Sequence, residues 1–566
     1  MTSERPAWSV VLCDSLEKVF PDAPPRELDR SIPLVGFRGE VASFQVAVLP
    51  PYLADAVRLG GVRLELQLPE GVRAAVSSVE LVPVELPAFE DADDHYLRTA
   101  PGLYPDLLRP VAEATIAPVP GQWRAAWIDL RIEAGAESGR HEIGVRVLSE
   151  VTGEAVADPS SLALHVPEAG LPDLDIPHAE WFHCDGLADH YGYEVFDEQH
   201  WAAIDRFLGS AARAGINAVL TPVWTPPLDT EVGGVRTPTQ LVGISDAGDG
   251  RYAFDFRLLR RWIALCRSNG IRYLEIAHLF SQWGAKTTPA IYVTTGDRLE
   301  HRFGWHVAAD DPRYRALLEQ LLPALLEVLD AEWDPDRVFF HISDEPTEQQ
   351  VETYSAARAV VADLLDGRQV IDAISDYSLY ASGLIPIPVV ANDHAGPFLA
   401  AGAAPMWLYY CVAQNRLVAN RFISLPSSRS RVLGAQLFCS GAAGFLHWGF
   451  NFYNSSLSRR RIDPFRDTCA DASFPGGDAF LVYPGPGGVP WESIRHRVVA
   501  EAFLDHRALQ AVRDLHGPAA AKELADQDGT LTLTAYSYDA DHYRRMLARA
   551  AELIDAAAPA DATARA

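Results

Sequence analysis

Two rhythms of apolar positions divide the chain near residue 175. Upstream, short runs alternate apolar and polar residues with a period of two, at 41–48 (VASFQVAV), 62–66, 79–84, 127–132 and 141–147. Gly, Pro and Asp punctuate them. Successive side chains on a strand point to opposite faces, so such runs at this spacing predict an antiparallel β-sandwich. Residues 171–177 (LPDLDIP) space prolines and aspartates and read as a linker.

Downstream, apolar β-rich runs alternate with helical patterns. The runs lie at 181–184 (WFHC), 218–222 (AVLTP), 273–277 (YLEIA), 338–342 (VFFHI), 370–374 (VIDAI), 388–391 (PVVA), 407–411 (WLYYC) and 444–448 (GFLHW). Helical stretches fall at 197–214, 256–269, 312–329, 347–365 and 427–439, and Gly215, Gly270 and Gly367 sit where helices stop. Eight buried strands separated by helices, over about 330 residues, predict a (β/α)8 TIM-type barrel. The fifth and sixth helices are the faint ones. An open doubly wound sheet is the alternative, but no GxGxxG or phosphate loop follows a strand. A closing helix is expected at 500–515, then a short hairpin at 530–536, a helix at 541–555 and a disordered Ala-rich tail. The expected organisation is a multidomain chain: sandwich 1–172, catalytic barrel 173–515, C-terminal segment 516–566.

A barrel of this kind carries its chemistry at the C-terminal ends of its strands. The polar residues that end the successive runs are His183 and Asp185; Thr221 and Trp224; Glu275 and His278; Ser343, Asp344 and Glu345; Ser375 and Asp376; Asn392, Asp393 and His394; Trp407, Tyr409 and Tyr410; His447, Trp448 and Asn451. Carboxylates and amides suit sugar hydroxyls, and aromatics suit the apolar face of a sugar ring. The sharpest signal is 341–346 (HISDEP), an apolar run that feeds two adjacent carboxylates and stops at Pro346. Neighbouring strand residues point apart, so both carboxylates reach one site only if the strand end relaxes. Two close carboxylates split their pKa values and keep one group protonated as an acid. The structural alternative is an N-cap for the following helix. His341 reads as a core histidine. Trp407 and Tyr409 share one strand face, and Leu408 and Tyr410 the other.

Composition narrows the picture. The chain is 48% hydrophobic and its thirteen tryptophans divide between core packing and sugar stacking. A formal charge of −28 disfavours nucleic acid and anionic membrane surfaces as partners. The six cysteines make no CxxC or Cys/His spacing, so no zinc site is indicated and free thiols are expected. The N-terminus lacks signal-peptide features and no window approaches a membrane span, so a cytoplasmic location is expected.

The 341–346 stretch resembles the Asp-Glu-Pro motif of glycoside hydrolase family 123, a family of β-N-acetylgalactosaminidases. Arg38-Gly39-Glu40 with Phe44-Gln45 and Tyr104-Pro105-Asp106 are similar to its N-terminal sandwich domain. Gly215-Ile216-Asn217, Trp407-Leu408-Tyr409-Tyr410, Arg431 with Gln436, and Gly444-Phe445-Leu446-His447-Trp448-Gly449 follow its order through the barrel. The resemblance spans residues 30–510. It implies an exo-acting retaining enzyme that releases a terminal 2-acetamido-2-deoxy-β-hexose, N-acetylgalactosamine first, with the sugar's own acetamido oxygen as nucleophile. Glu345 would then be the general acid and base, and Asp344 would orient the acetamido group. Tyr409 would meet the acetamido oxygen, Trp407 and Trp448 would form the pocket, and His183, Asn217, Trp224, Glu275, His278, Asn392 and Asp393 would bind sugar. No metal or organic cofactor is called for. Two alternatives stand beside this reading: a glycosidase of a sugar lacking the acetamido group, using the pair in the ordinary way, and a non-catalytic carbohydrate-binding barrel. The segments 229–250, insertion-like and Gly/Thr-rich, and 287–298 depart from the family pattern and read as loops that shape the rim.

Overall fold

The computed structural model describes residues 8–51 and 60–557; the Ala-rich tail from 558 onward lies outside the described residues. Two five-stranded sheets form the N-terminal sandwich. One runs in the order Ser9–Asp14, Val41–Leu49, Arg124–Ile132, Val72–Val84, Gly102–Pro110. The other runs Leu34–Val35, Ser160–Val166, Gly139–Ser149, Val62–Gln67, Thr115–Ile116. Pairing is antiparallel except where Leu34–Val35 joins Ser160–Val166. Phe44, Val46, Ile128 and Leu130 from the first sheet pack against Leu64, Ile143, Val145 and Leu164 from the second. The first sheet is buried on its other face as well, where Ala47, Val79 and Trp127 join the large core that includes the barrel. Gln45 sits on that second face and donates to the carbonyls of Asp14 and Glu17.

The barrel closes from eight parallel strands in chain order: β1 (His178–Glu180), β2 (Ala218–Thr221), β3 (Tyr273–Ile276), β4 (Val338–Phe340), β5 (Gln369–Ile374), β6 (Ile387–Ala391), β7 (Trp407–Tyr409) and β8 (Gly444–His447). β8 pairs with β1 and completes the ring. Sandwich followed by TIM-type barrel is therefore the architecture. β1 lies just upstream of the run expected at 181–184; the chain then turns inward at Trp181 and a helix begins at Cys184. The helices between strands include Glu198–Arg213, Arg257–Ser268, Pro312–Glu332 and Val351–Val361. Asp197 and Asp311 cap the first and third of these. The faint fifth and sixth helices are real but only five residues each, Tyr377–Ala381 and Gly396–Ala400. Ile494–His516 closes the barrel.

Strand alternation sets the lumen. Ala218, Phe339, Ile371 and Trp407 fill the lower part, and Leu220, Ala373, Tyr409 and Leu446 lie above them. The two expected rim loops depart from expectation. Gly243–Gly248, Arg251–Asp255, Ile291–Thr295 and Arg298–Phe303 pair into a four-stranded sheet of their own. Its turn at Asp249-Gly250 uses positive φ at both residues, the geometry of a tight hairpin. These strands are largely polar and partly exposed, so their period-two signal is weak. The hairpin expected at 530–536 is not formed. Gln436 donates to the Thr532 carbonyl and the segment packs as a loop between Pro518–Ala525 and Ala540–Ala557.

The motif residues outside the barrel lumen hold the two domains together. Arg495 clamps Asp106 through two hydrogen bonds of 2.9 Å, and the Tyr483 hydroxyl donates to the same carboxylate at 2.6 Å. Arg507 pairs with Glu40 at 2.7 Å. Arg431, on Ser428–Arg431, grips Asp505 on the closing helix.

Candidate active site

The end of β4 decides the site. After Phe340 the chain continues extended, and the ladder to the β3 side persists: Leu279 and Phe280 donate their amides to the carbonyls of His341 and Ile342 at 3.0 Å. Asp372, on β5, accepts from the amides of Ile342 and Ser343 at 3.0 and 3.3 Å and from the Tyr354 hydroxyl. The Ser343 hydroxyl donates to Ser281 at 2.8 Å, and the Trp283 amide to the Asp344 carbonyl at 3.0 Å. Every group before the carboxylate pair is pinned. Glu345 then takes φ +44°, a left-handed conformation that costs a non-glycine residue about 1 kcal/mol or more. That reversal brings two neighbours, which an extended strand would point apart, to one pocket.

The pocket is an open cavity of about 160 Å³ at the C-terminal mouth of the barrel, and Asp344 and Glu345 both line it. Its floor is Trp181, Ala373 and Leu446; its sides include Tyr409, Trp448, Phe474, Leu228, Asp229 and Trp283. The Tyr409 hydroxyl donates to Glu345 Oε1 at 2.7 Å. The cap of the following helix is supplied elsewhere: Gln350 accepts from the Thr347 amide and Asp376 from the Glu348 amide, so the pair is not consumed as an N-cap.

Electrostatics set the proton. Burial and the Glu345 charge push the Asp344 carboxyl well above the ordinary carboxylate range, with Asp372 and Asp229 adding to the push and His341 opposing it. Burial raises Glu345 as well, but the Tyr409 hydrogen bond pulls it back. Both shifts oppose double ionisation, so the pair holds a proton more readily than two separate carboxylates would. Asp229 is a third carboxylate of the pocket. It stands at φ +37°, its Oδ2 accepts from the Leu457 amide at 3.0 Å, and burial raises it to about 6.

Beneath the floor lies a buried polar stack. Glu275 Oε2 accepts from Trp181 Nε1 at 3.0 Å and lies 2.9 Å from His341 Nε2. Burial would lower His341, but Asp372 and Glu275 outweigh it and hold the imidazole at about 9. His278 stacks on His341 with ring centroids 4.4 Å apart, and burial together with that cation keeps it neutral. Glu275 and His278 thus act under Trp181, not on the pocket surface. The pocket carboxylates hang over a buried charge network built from barrel side chains.

The other expected residues are distributed as follows. Tyr409 and Trp448 line the pocket, and Trp448 Nε1 donates to Asp478 at 2.9 Å. Trp407 is barrel core: it meets Phe339 edge-on at 4.9 Å and packs so closely on Gly444 that a Cβ there would lie 2.4 Å from the indole. Trp224 is fully buried with its Nε1 on the His278 carbonyl. Asn217 precedes β2, at the opposite end of the barrel, and pins the linker through His178 and Ile176. His183 is buried behind Trp448; Arg236 donates to its Nδ1, so its Nε2–H donates to the Trp448 carbonyl, and burial with the Arg236 charge lowers it to about 3. Asn392 donates to the Ala419 carbonyl, and Asp393 pairs with His394 and Gln414. None of these six lines the cavity. A strand-end position brings a residue to the rim, but its side-chain direction and the loops above decide whether it faces the cavity.

Sequence reasoning did not single out Asp229, Trp181, Trp283, Phe474 or Asp372. Asp229 and Trp283 stand in βα loops and carry a position signal. Phe474 arrives from a remote loop and carries none. Arg236 holds the Asp229 loop in place, donating to the Leu228 carbonyl at 3.2 Å while it clamps buried Asp185 at 2.7 and 2.8 Å.

Among the described residues no cluster of His, Cys, Asp or Glu has metal-binding geometry, and no helix is long and apolar enough to cross a membrane. Comparison with solved structures finds a similar fold in a family 123 glycoside hydrolase from Clostridium perfringens, described for glycolipid glycan hydrolysis. It shares 12% identity, covers 97% of both chains and superposes with a TM-score of 0.69. A Parabacteroides merdae β-glucuronidase aligns over 89% of this chain and 53% of its own, at 9% identity and a TM-score of 0.29. No curated protein matches. The model of the glycoside hydrolase 123 catalytic domain matches residues 181–512, from the end of β1 to the closing helix and over more than half of the chain. With that match and the carboxylate pair it contains, the chain belongs to glycoside hydrolase family 123, and its substrate is a carbohydrate or glycoconjugate.

Proposed function

We propose that the enzyme is an exo-acting retaining hydrolase that releases a terminal 2-acetamido-2-deoxy-β-hexose, N-acetylgalactosamine first among the candidates, by substrate-assisted catalysis. The observation that carries the reading is the turn at Glu345, which presents two adjacent carboxylates to one pocket with the Tyr409 hydroxyl on Glu345. Adjacent groups on one loop are poorly placed to work on opposite faces of a sugar. They are well placed to serve two neighbouring substituents, the leaving oxygen at C1 and the acetamido group at C2. A pocket floored by Trp181 rather than an open groove favours cleavage from a chain end.

A pair that resists double ionisation fits this division of labour. Substrate N–H donates to Asp344 and stabilises its anion. The acetamido oxygen competes for the Tyr409 proton and releases Glu345 from the hydrogen bond that acidifies it. Both changes favour Asp344 as the anion and Glu345 as the protonated acid. The acetamido oxygen attacks C1, the C1–O bond breaks, and Glu345 gives its proton to the leaving oxygen. Glu345 then takes a proton from water, which attacks C1 of the oxazolinium ion and restores the acetamido group with net retention. The similar C. perfringens enzyme is described for glycolipid glycans, which puts such glycans first among substrates to try.

The test is a panel of aryl 2-acetamido-2-deoxy-β-glycosides with a thiazoline inhibitor. Cleavage blocked by the thiazoline supports acetamido participation. Cleavage only of sugars without the acetamido group removes the reading.

A further inference from the structure

Among thirteen tryptophans, Trp283 alone is exposed, at 40% of its surface. It stands at the mouth of the active-site pocket. Its backbone is held in the left-handed region at φ +56°, and Gly284 and Ala285 follow at +104° and +53°. A bulky side chain rarely adopts that region, and three such residues in a row persist only where neighbours impose them. The neighbours are visible. The Trp283 amide donates to the Asp344 carbonyl at 3.0 Å, and Gln350 Nε2 donates to the Trp283 carbonyl at 2.9 Å. At Gly284 a Cβ would lie 2.9 Å from the Gln350 side chain, so the turn closes only on glycine. The indole is therefore presented to solvent by a loop tied to the backbone of Asp344. Nothing in the fold needs it there, because its ring packs into no core cluster. Gln282, the preceding residue, is 4% exposed and lines the same cavity. Its Nε2 is spent on the Thr230 carbonyl at 3.0 Å, and its Oε1 has no hydrogen-bond partner among the described residues. An aromatic face beside an unpartnered buried acceptor matches a pyranose ring, which has an apolar face and donating hydroxyls.

We infer that Trp283 is the platform for the sugar on the leaving-group side of the scissile bond, so that the preferred substrate is an oligosaccharide glycan whose second residue stacks on the indole. The inference rests on the glycosidase reading above and adds its substrate class. Trp283 is a specificity residue: it touches the departing sugar and moves no proton. Its stacking is made with the leaving group and is absent when the leaving group has no ring.

The experiment uses the full-length enzyme, the variants Trp283→Ala and Trp283→Phe, and two substrates with the same 2-acetamido sugar at the cleaved end. One is a β-linked disaccharide; the other is the β-glycosyl fluoride, whose leaving group cannot stack. For Trp283→Ala, kcat/KM on the disaccharide falls by about tenfold or more, the size of one lost stacking contact. Trp283→Phe recovers most of that loss. Kinetics on the fluoride and inhibition by the thiazoline stay within about twofold of the wild type, because Asp344 keeps its place. Equal losses on both substrates would overturn the inference and make Trp283 a support for Asp344 alone. So would an unchanged rate on the disaccharide. Failure of the parent reading shows separately, as a wild-type enzyme that turns over neither acetamido substrate. The same variants are then compared on the disaccharide and fluoride of the sugar that is cleaved.

Discussion

Replacing Tyr409 with Phe isolates the hydrogen bond that sets the proton on the catalytic pair. Asp344 and Glu345 titrate together, so the kcat/KM profile against pH has two limbs that belong to the pair. Below the acid limb both groups are protonated, and above the alkaline limb both are ionised. Neither form carries one acid and one anion. The Tyr409 hydroxyl donates to Glu345 Oε1 at 2.7 Å and favours its ionised form. A hydrogen bond to a charged acceptor contributes about 1.5–3 kcal/mol, which at 1.36 kcal/mol per pH unit is about 1–2 units. Glu345 is only half-buried at an open pocket, so water replaces part of the lost donor. A shift of about 0.5–1 unit remains after that discount. The sign follows from the donor. Its removal destabilises the carboxylate, raises the pKa, and moves both limbs to higher pH. The assay is kcat/KM across the pH range on a substrate with a poor leaving group, with the thermal midpoint as the control for folding. Limbs that stay in place or move to lower pH would refute the assignment of Tyr409 to Glu345. A drop in the plateau height is a separate quantity and, on the proposed mechanism, reports the contact with the acetamido oxygen.

Four further changes probe the same site from other directions. Glu345→Gln lowers kcat/KM by about 10²–10⁴-fold on poor leaving groups and much less on activated aryl glycosides, whereas Asp344→Asn lowers both, which a leaving-group series separates. Asp372→Ala strands two buried amides and the Tyr354 hydroxyl, so the chain loses about 3 kcal/mol or more in urea unfolding, and kcat falls as the Asp344 loop loosens. Asp229→Asn removes a negative neighbour that raises Asp344, so the alkaline limb moves to lower pH, opposite to Tyr409→Phe. Because the folded pKa of Asp229 is raised from 3.8 to about 6, native stability falls as pH climbs through that window. The Asn variant escapes the loss, by about 1–2 kcal/mol at neutral pH after discounting for partial exposure, provided that its Oδ1 still accepts from Leu457.

The barrel was legible because its strands are buried on both faces. Uninterrupted runs such as those ending at Phe340 and Ala391 stand out from the helical periods around them. The rim sheet was not, because Gly243–Gly248 and Arg298–Phe303 are largely polar and owe their strand geometry to pairing with Arg251–Asp255 and Ile291–Thr295. At the site, the carboxylate pair could be read from its place at a strand end, and the parity of β7 put Tyr409 on the lumen side. Parity alone did not give depth. Trp407 shares the face of Tyr409 but lies two residues lower, where Gly444 and Phe339 enclose it. Asn217 fell on the wrong end, because it precedes its strand instead of following it. Glu275 and His341 point inward below Trp181, where burial makes them a support rather than a contact. Phe474 and Leu457 reach the rim from loops far along the chain, a proximity that no local pattern encodes.

The third carboxylate sharpens the choice between the two hydrolytic readings. An ordinary retaining enzyme needs a carboxylate nucleophile facing the acid across the sugar, with the two groups about 5–5.5 Å apart. Adjacent residues on one loop do not supply that opposition, and among the described residues Asp229 is the only other carboxylate that lines the cavity. Yet Asp229 spends Oδ2 on the Leu457 amide, and burial holds it near 6, so it is a partly protonated, tethered group rather than a free nucleophile. Its backbone is locked as well, with the Ser458 hydroxyl on its carbonyl at 2.7 Å. Such a carboxylate is suited to accept hydrogen bonds from sugar hydroxyls and to add negative potential at the pocket. That potential is useful if the intermediate is an oxazolinium cation, and it burdens a mechanism that must deliver an anionic nucleophile to C1. The two cases part in one measurement. If Asp229→Asn leaves thiazoline inhibition intact while raising KM, Asp229 binds sugar and the acetamido group attacks. If the variant instead abolishes turnover and azide restores it as a glycosyl azide of inverted configuration, Asp229 is the nucleophile and the acetamido reading fails.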